Sequence, residues 1–222
     1  MTEEKLLQRL YQLDTNTVSD ALDFLELKGA TFGLRPLWDC PKIVGIATTI
    51  QLGPKTDPRA TLHPITPVIA ETNSANRILV ITGGLEGISS WGDLVANASQ
   101  LKGIKGTILD GVSRDIEGSE SIGYPVYGRG VTMISARNRV AQISSCEPIQ
   151  VQGVTVNHND YVIADRCGTV FVPAGRIEEV ITLGEKIAAR QDGMVKAIRA
   201  GRSVSEVMHD KEFAAIAVEK QK

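Results

Sequence analysis

The chain has 222 residues, 42% of them hydrophobic, enough for one large domain or two small ones with a sizeable core. Twenty-four basic residues against 26 acidic ones leave a formal charge of −2 without a long basic stripe, so nothing in the charge pattern calls for nucleic-acid binding. No run of about 18 apolar residues is present, which argues against a membrane-spanning helix.

The opening residues, Met1 to Lys5, are polar and acidic and lack the basic-then-apolar layout of a secretory leader. Leu6, Leu7, Leu10 and Leu13 fall at helical spacing in a first helix. A second helix is expected from about Thr17 to Lys28, with Thr17 as its cap, Asp20 three residues on and Gly29 at its end. The loop Phe32–Pro36 follows, then a β-branched run from Lys42 to Gln51 that reads as a long strand. Gly53 to Pro58 is turn chemistry, and His63 to Glu71 is expected to be helical despite Pro64 and Pro67.

Arg77 to Gly84 reads as a buried strand that leads through Leu85–Trp91 into Gly92-Asp93. Leu94–Leu101 reads as a helix, and Gly106 to Gly111 as a second buried strand leading through Val112-Ser113 to Arg114-Asp115. Strand, helix, strand predicts two neighbouring parallel strands. Short strands then dominate: Pro125–Tyr127, Arg139–Ser145, Val154–Val156, Tyr161–Asp165 and Thr169–Val172, with turns at Gly128–Gly130 and Asn157–Asp160. Ile177, Val180, Ile181, Leu183 and Ile187 form the apolar face of a late helix, and Ser203 to Val218 predicts another. The pattern implies an α/β fold: one compact layered domain over residues 1–222, with a central mixed sheet wrapped by helices and helical extensions at both ends. Cys40, Cys146 and Cys167 are odd in number and widely spaced, as expected of reduced thiols in a cytoplasmic protein.

Asp93, Arg114 and Asp115 are the most informative residues. Twenty residues separate the first Asp from the Arg-Asp pair, and both groups are expected beyond the carboxyl ends of the parallel strands, where open α/β sheets bind ligands. A helix starting at Gly92-Asp93 presents free amides at Leu94 and Val95, suited to a carboxylate or a developing enolate. Asp93 is equally suited to capping that helix. Arg114 can grip a carboxylate with two hydrogen bonds. Magnesium takes only one or two protein carboxylates and keeps several waters, which fits Asp115 as a direct ligand and Asp93 acting through water. Cation, guanidinium and amides together would stabilise negative charge beside a 2-oxo acid, so the expected chemistry is cleavage of its C3–C4 bond to a pyruvate enolate.

The sequence resembles the class II pyruvate aldolases that cleave 4-hydroxy-4-methyl-2-oxoglutarate and 4-carboxy-4-hydroxy-2-oxoadipate. These share the fold of the regulators of ribonuclease E activity, of the swivelling β/β/α type. The resemblance runs over roughly residues 15 to 205. It is carried by Thr17–Leu22, Lys42–Ala47, Gly92-Asp-Leu-Val-Ala96, Asp110-Gly-Val-Ser-Arg-Asp115, Pro125–Gly130 and Ala164-Asp165. It implies Mg2+ or Mn2+ on Asp115, with Asp93 reaching the metal through water. Arg114 would lie on the keto-acid oxygens, and the pyruvate carboxylate on the Leu94 and Val95 amides beside Gly92. It also implies a homotrimer or a hexamer of trimers. The chain departs from the family at His158-Asn159-Asp160, where Pro-Gly-Asp is usual, and at Ala75-Asn76, where Gly-Asp is usual. The glutamate that a neighbouring subunit often supplies has only Gln191 and Asp192 as candidates here.

Other residues read as structural. His63, His158 and His209 are expected at the surface or in packing, and His63 nears the site only if its helix packs against the Gly83-Gly84 loop. Trp91 is suited equally to walling the pocket and to packing. Glu86 is expected to be exposed, and Arg129 and Arg137 are ordinary turn arginines that would add positive charge for a dicarboxylate. With no histidine at the site, a metal-associated water or hydroxide is expected to take the C4 hydroxyl proton. The sequence therefore predicts a metal-dependent lyase acting on 4-hydroxy-2-oxo dicarboxylic acids, with oxaloacetate decarboxylation beside it. The rival readings are a non-catalytic oligomeric regulator and a hydratase or other 2-oxo-acid lyase on the same scaffold. Gly83-Gly84-Leu-Glu-Gly87 is no dinucleotide fingerprint, which disfavours a methyltransferase.

Overall fold

A computed structural model describes residues 1–57, 59 and 62–208. Helix α1 (Glu3–Gln12) buries Leu6 and Leu10, as the leucine spacing requires. Helix α2 (Thr15–Phe24) starts two residues earlier than expected because Asp14, not Thr17, caps it: the Asp14 carboxylate accepts the Thr17 amide at 2.7 Å. It also stops before Lys28, with Glu26 in the left-handed region at φ 55°. Gly29 lies instead against Phe171, whose N–H donates to the Gly29 carbonyl at 2.9 Å; a Cβ at this glycine would overlap the Phe171 carbonyl.

Strand β1 (Arg35–Pro36) is a short edge, and β2 (Ile43–Pro54) runs through the expected turn at Gly53-Pro54. Helix α3 is shorter than predicted (Thr66–Glu71), with a proline in its first turn and His63 outside it. Then come β3 (Arg77–Thr82), β4 (Ser89–Trp91), α4 (Asp93–Leu101), β5 (Gly106–Leu109), β6 (Val112–Ser113) and α5 (Ile116–Ser121). The remaining strands are β7 (Val126–Gly128), β8 (Gly130–Val131), β9 (Val140–Ser145), β10 (Ile149–Val151), β11 (Val154–Val156), β12 (Tyr161–Asp165) and β13 (Gly168–Val172). Helix α6 (Ile177–Arg199) and the short α7 (Val204–Val207) complete the described chain. The predicted helix from Ser203 overlaps α7, but from His209 onward it lies outside the described residues.

The main sheet runs β1-β7-β5-β3-β2-β12-β13. Strands β2, β3, β5 and β7 are parallel, while β1, β12 and β13 are antiparallel to their neighbours, so the fold is mixed α/β. Along β3, Ile78 and Val80 face one apolar cluster and Leu79 and Ile81 the other. A strand covered on both faces has no polar side to show, which is why it reads as an unbroken apolar run. One cover is the β10–β11 hairpin, whose four valines and isoleucines sit in the first cluster; the other comes from α3 and α4. A third cluster packs α1, α2 and α6 on β2, β12 and β13, using the predicted face Ile177, Val180, Ile181, Leu183 and Ile187.

Strand β2 changes partner midway. Ile43–Ile46 pair with β12, and Ile50–Pro54 pair with β9 across an irregularity at Gln51/Leu52. This crossing carries the segment around residue 140 to the loop after β2. A separate three-stranded parallel sheet, β4-β6-β8, stands beyond the carboxyl ends of β3 and β5. The three cysteines are free, Cys40 buried and the other two exposed. Among the described residues no helix is long and apolar enough to cross a membrane.

Candidate active site

The small β4-β6-β8 sheet builds the site. Sequence reading treated Leu85–Trp91 and Val112-Ser113 as connections, because strands of two or three residues are too short to show a period. Their pairing aligns Ser89 with Val112 and Trp91 with Ser113, and the Arg114 amide donates to the Trp91 carbonyl at 3.0 Å. The two strands therefore end side by side, and the next residues on each are Gly92-Asp93 and Arg114-Asp115.

Two glycines set the spacing between those ends. Gly92 is extended, and a Cβ there would lie 2.9 Å from the Asp115 Oδ2. Gly118, in α5, approaches Asp93 so closely that a Cβ would lie 2.6 Å from the Asp93 Cβ. Each acidic residue thus packs on a glycine of the other's turn. Asp115 has φ 55°, an uncommon conformation for a residue with a side chain, at the cap of α5. Its carboxylate makes no cap bond to that helix and meets the Arg114 Nε at 3.2 Å instead.

Asp93 is the first residue of α4, with Gly92 as the cap. Its Oδ1 accepts the Leu94 amide at 2.7 Å. The Leu94 amide, expected to be free for a substrate carboxylate, thus has an acceptor already, while the cap position of α4 belongs to Gly92 and not to Asp93. Leu94 itself is exposed, whereas Val95 is buried among residues of the apolar layer under the site.

One cavity of about 470 Å³ collects Gly92, Asp93, Leu94, Val95, Arg114 and Asp115. Trp91 also lines it; 3% exposed, it stacks on Tyr124 with 6.0 Å between ring centroids, so it both packs and walls. The rest of the lining comes from the loop after β2 and the segment leading into β9, bringing Lys55, His63 and Arg137. Arg137 also joins Arg114 in an adjoining open cleft. His63 reaches the cavity from the loop before α3, without being part of the helix expected there. Its Nδ1 accepts the Ile65 amide at 3.2 Å and the Thr66 amide at 3.3 Å, and partial burial lowers its pKa.

Other residues fall elsewhere. Arg129 pairs with Asp110, whose carboxylate also holds Gln152 of the β10–β11 turn. Glu86 is exposed, as expected. Gln191 lies on α6 with its Nε2 3.4 Å from Asp20. His158 sits in the turn before β12, its pKa lowered by burial and by Arg77.

The RraA-like family model, described as Aldolase/RraA, matches residues 15–171, and the chain belongs to that family. Protein DlpA of Legionella pneumophila is 31% identical over 209 residues, which cover 94% of this chain and 34% of DlpA. The chain thus spans about a third of that relative's length. A Halalkalibacterium halodurans protein named "Putative 4-hydroxy-4-methyl-2-oxoglutarate aldolase" is 29% identical over 84% of this chain and 85% of its own. The crystal structure of a Pseudomonas syringae pv. tomato protein superposes with a TM-score of 0.84 at 28% identity, covering 93% of each chain. The mixed sheet with its helical layers is thus the RraA-like fold, of a family whose description joins aldolases and RraA proteins.

Proposed function

We propose that the chain is a divalent-metal-dependent carbon–carbon lyase that cleaves 4-hydroxy-2-oxo dicarboxylic acids to pyruvate and also decarboxylates oxaloacetate. The observation that carries this reading is the meeting of Asp93, Arg114 and Asp115 at one cavity. Among the described residues no group of three or more His, Cys, Asp or Glu converges as a metal cage. Two carboxylates from adjoining turns suit Mg2+ or Mn2+, which bind through one or two carboxylates and retain waters. Asp115 would hold the ion and Asp93 would hold one of its waters. When bound, the cation supplies Lewis-acid polarisation of the 2-oxo group.

The chain's own residues do the rest. The Arg114 guanidinium binds the oxygens of the keto acid, where negative charge grows as the enolate forms. Gly92 lets the backbone approach the substrate, and the start of α4 offers the Val95 amide and its positive end to the pyruvate carboxylate, with the Leu94 amide held by Asp93. The C4 hydroxyl loses its proton to water in the cavity, the C3–C4 pair passes into the pyruvate enolate, and water returns a proton to C3 to give pyruvate. Decarboxylation of oxaloacetate breaks the corresponding bond and reaches the same enolate. A homotrimer or hexamer of trimers belongs to the same proposal.

Pyruvate release from oxaloacetate and from 4-hydroxy-4-methyl-2-oxoglutarate tests it, with magnesium and with EDTA. Turnover that EDTA abolishes, and that Arg114→Ala lowers at least about a hundredfold, supports the reading, since loss of one charge-stabilising donor commonly costs about that much. A folded, magnesium-loaded protein that turns over neither compound contradicts it and favours a non-catalytic regulator.

A further inference from the structure

The cavity has two walls of different origin. The acidic wall comes from the ends of β4 and β6 and holds Asp93, Arg114 and Asp115. The facing wall comes from the loop after β2 and the approach to β9 and holds Lys55, His63 and Arg137. If the acidic wall grips the pyruvate half, the facing wall meets whatever is attached at C4.

Lys55 and Arg137 are cationic donors, and His63 is the neutral donor among the three, its ring oriented by the amides it accepts. Its Nδ1 accepts the Ile65 amide at 3.2 Å and the Thr66 amide at 3.3 Å, so that nitrogen carries no proton. In the neutral ring the proton then resides on Nε2, which is left to donate. Partial burial favours the neutral form. A neutral imidazole that gave up its Nε2 proton would become an imidazolate, far too basic to form near neutral pH. His63 is therefore a hydrogen-bond donor here and neither a base nor a proton source. The remaining titratable groups on the cavity lining are Lys55, Asp93, Arg114, Asp115 and Arg137.

We propose that His63 is a specificity-determining residue whose Nε2–H binds the C4 oxygen of the substrate as that hydroxyl becomes the carbonyl of the departing fragment. This rests on the lyase reading above. In retro-aldol cleavage the C3–C4 bond breaks, its electron pair enters the pyruvate enolate, and the C4–O bond gains double-bond character while the hydroxyl proton goes to water. The Nε2–H stays on the histidine throughout and holds the oxygen in line. Oxaloacetate differs at this position. Its C4 leaves as carbon dioxide, and a donor held on the departing carboxylate opposes loss of its charge, so His63 gives decarboxylation no assistance.

The test compares the two reactions in the magnesium-loaded enzyme and in His63→Asn and His63→Leu. Asparagine retains an acceptor for the first amides of α3, which separates the cap from the donor. The expected result is a fall of about tenfold in kcat/KM for 4-hydroxy-4-methyl-2-oxoglutarate in both variants, the usual weight of one hydrogen bond. Oxaloacetate decarboxylation should be unchanged or faster. Nitrogen-15 NMR of the His63 ring gives a readout independent of turnover. Nδ1 should appear as an unprotonated acceptor and Nε2 as protonated in the substrate-free protein. Equal losses in both reactions, no loss in either, or a protonated Nδ1 would overturn the assignment while leaving the lyase intact. Absence of turnover in the unmodified enzyme would remove the lyase reading and this inference together.

Discussion

The two walls of the cavity differ in how they are held. On the acidic wall, Asp93 and the Arg114-Asp115 pair follow paired strands of a few residues, and Gly92 and Gly118 hold the turns together. On the facing wall, Lys55 and His63 share the loop after β2, and Arg137, far away in sequence, is brought to them by the β2–β9 pairing. The first wall places the charges for chemistry. The second, tied to it by the Ser89 amide on the Ile134 carbonyl at 2.9 Å, carries the neutral and cationic donors that suit it to choosing among substrates.

The largest expected effect disturbs the acidic wall. Gly118→Ala pushes a methyl group into the Asp93 Cβ, where the gap is 2.6 Å. Pyruvate release should fall about a hundredfold, because displacement of a positioned group by about 1 Å has that consequence. Steady-state kinetics beside a urea melt separates this from unfolding; a fully active Gly118→Ala would show that the glycine contact does not place Asp93.

A smaller effect is expected on the facing wall. Arg137→Gln removes a cation from the lining and should raise KM for dicarboxylates about fivefold while kcat stays near its original value, as loss of one exposed charge-assisted contact would. A fall in kcat with KM unchanged would place Arg137 with the chemical wall instead.

The smallest effect concerns pH and stability. Burial lowers the His63 pKa in the folded chain. The folded state then binds fewer protons than the unfolded state just below the ordinary histidine pKa. Its contribution is present above that value and is lost as pH falls toward the folded pKa. Protonating Nδ1 would also remove the acceptor for the Ile65 and Thr66 amides. Thermal melts from pH 7.5 to 5 should show a drop that is shallower in His63→Asn, and identical slopes would contradict this.

The same contrast explains what the sequence disclosed. β3 and β5 were legible because both faces of each are buried, leaving continuous apolar runs. Asp93 and Arg114-Asp115 were legible because they follow such runs at a recognisable spacing. The strands that align them, Ser89–Trp91 and Val112–Ser113, were not, since two or three residues carry no period. The sequence places the cap at Thr17, and the bond from the Thr17 amide to the Asp14 carboxylate moves it to Asp14. His63 reads from the sequence as a surface or packing residue that nears the site only if its helix packs against the Gly83-Gly84 loop. Its place at the cavity depends on long-range packing, and the local signal, a His two residues before Ile65 whose ring accepts the next amides, is not an established capping pattern. β9 was found approximately, yet its burial alternates so weakly that its pairing with β2, and with it Arg137, was hidden.

The central claim is that Asp93 and Asp115 serve one cation, and a double-mutant cycle of Mn2+ binding tests it most directly. Calorimetric titration of the unmodified chain, Asp93→Asn, Asp115→Asn and the double variant should give the largest loss at Asp115, a smaller one at Asp93, and a double variant much less impaired than the sum of the two. Independent, additive losses, or Mn2+ affinity indifferent to both changes, would mean that the two carboxylates do not share an ion.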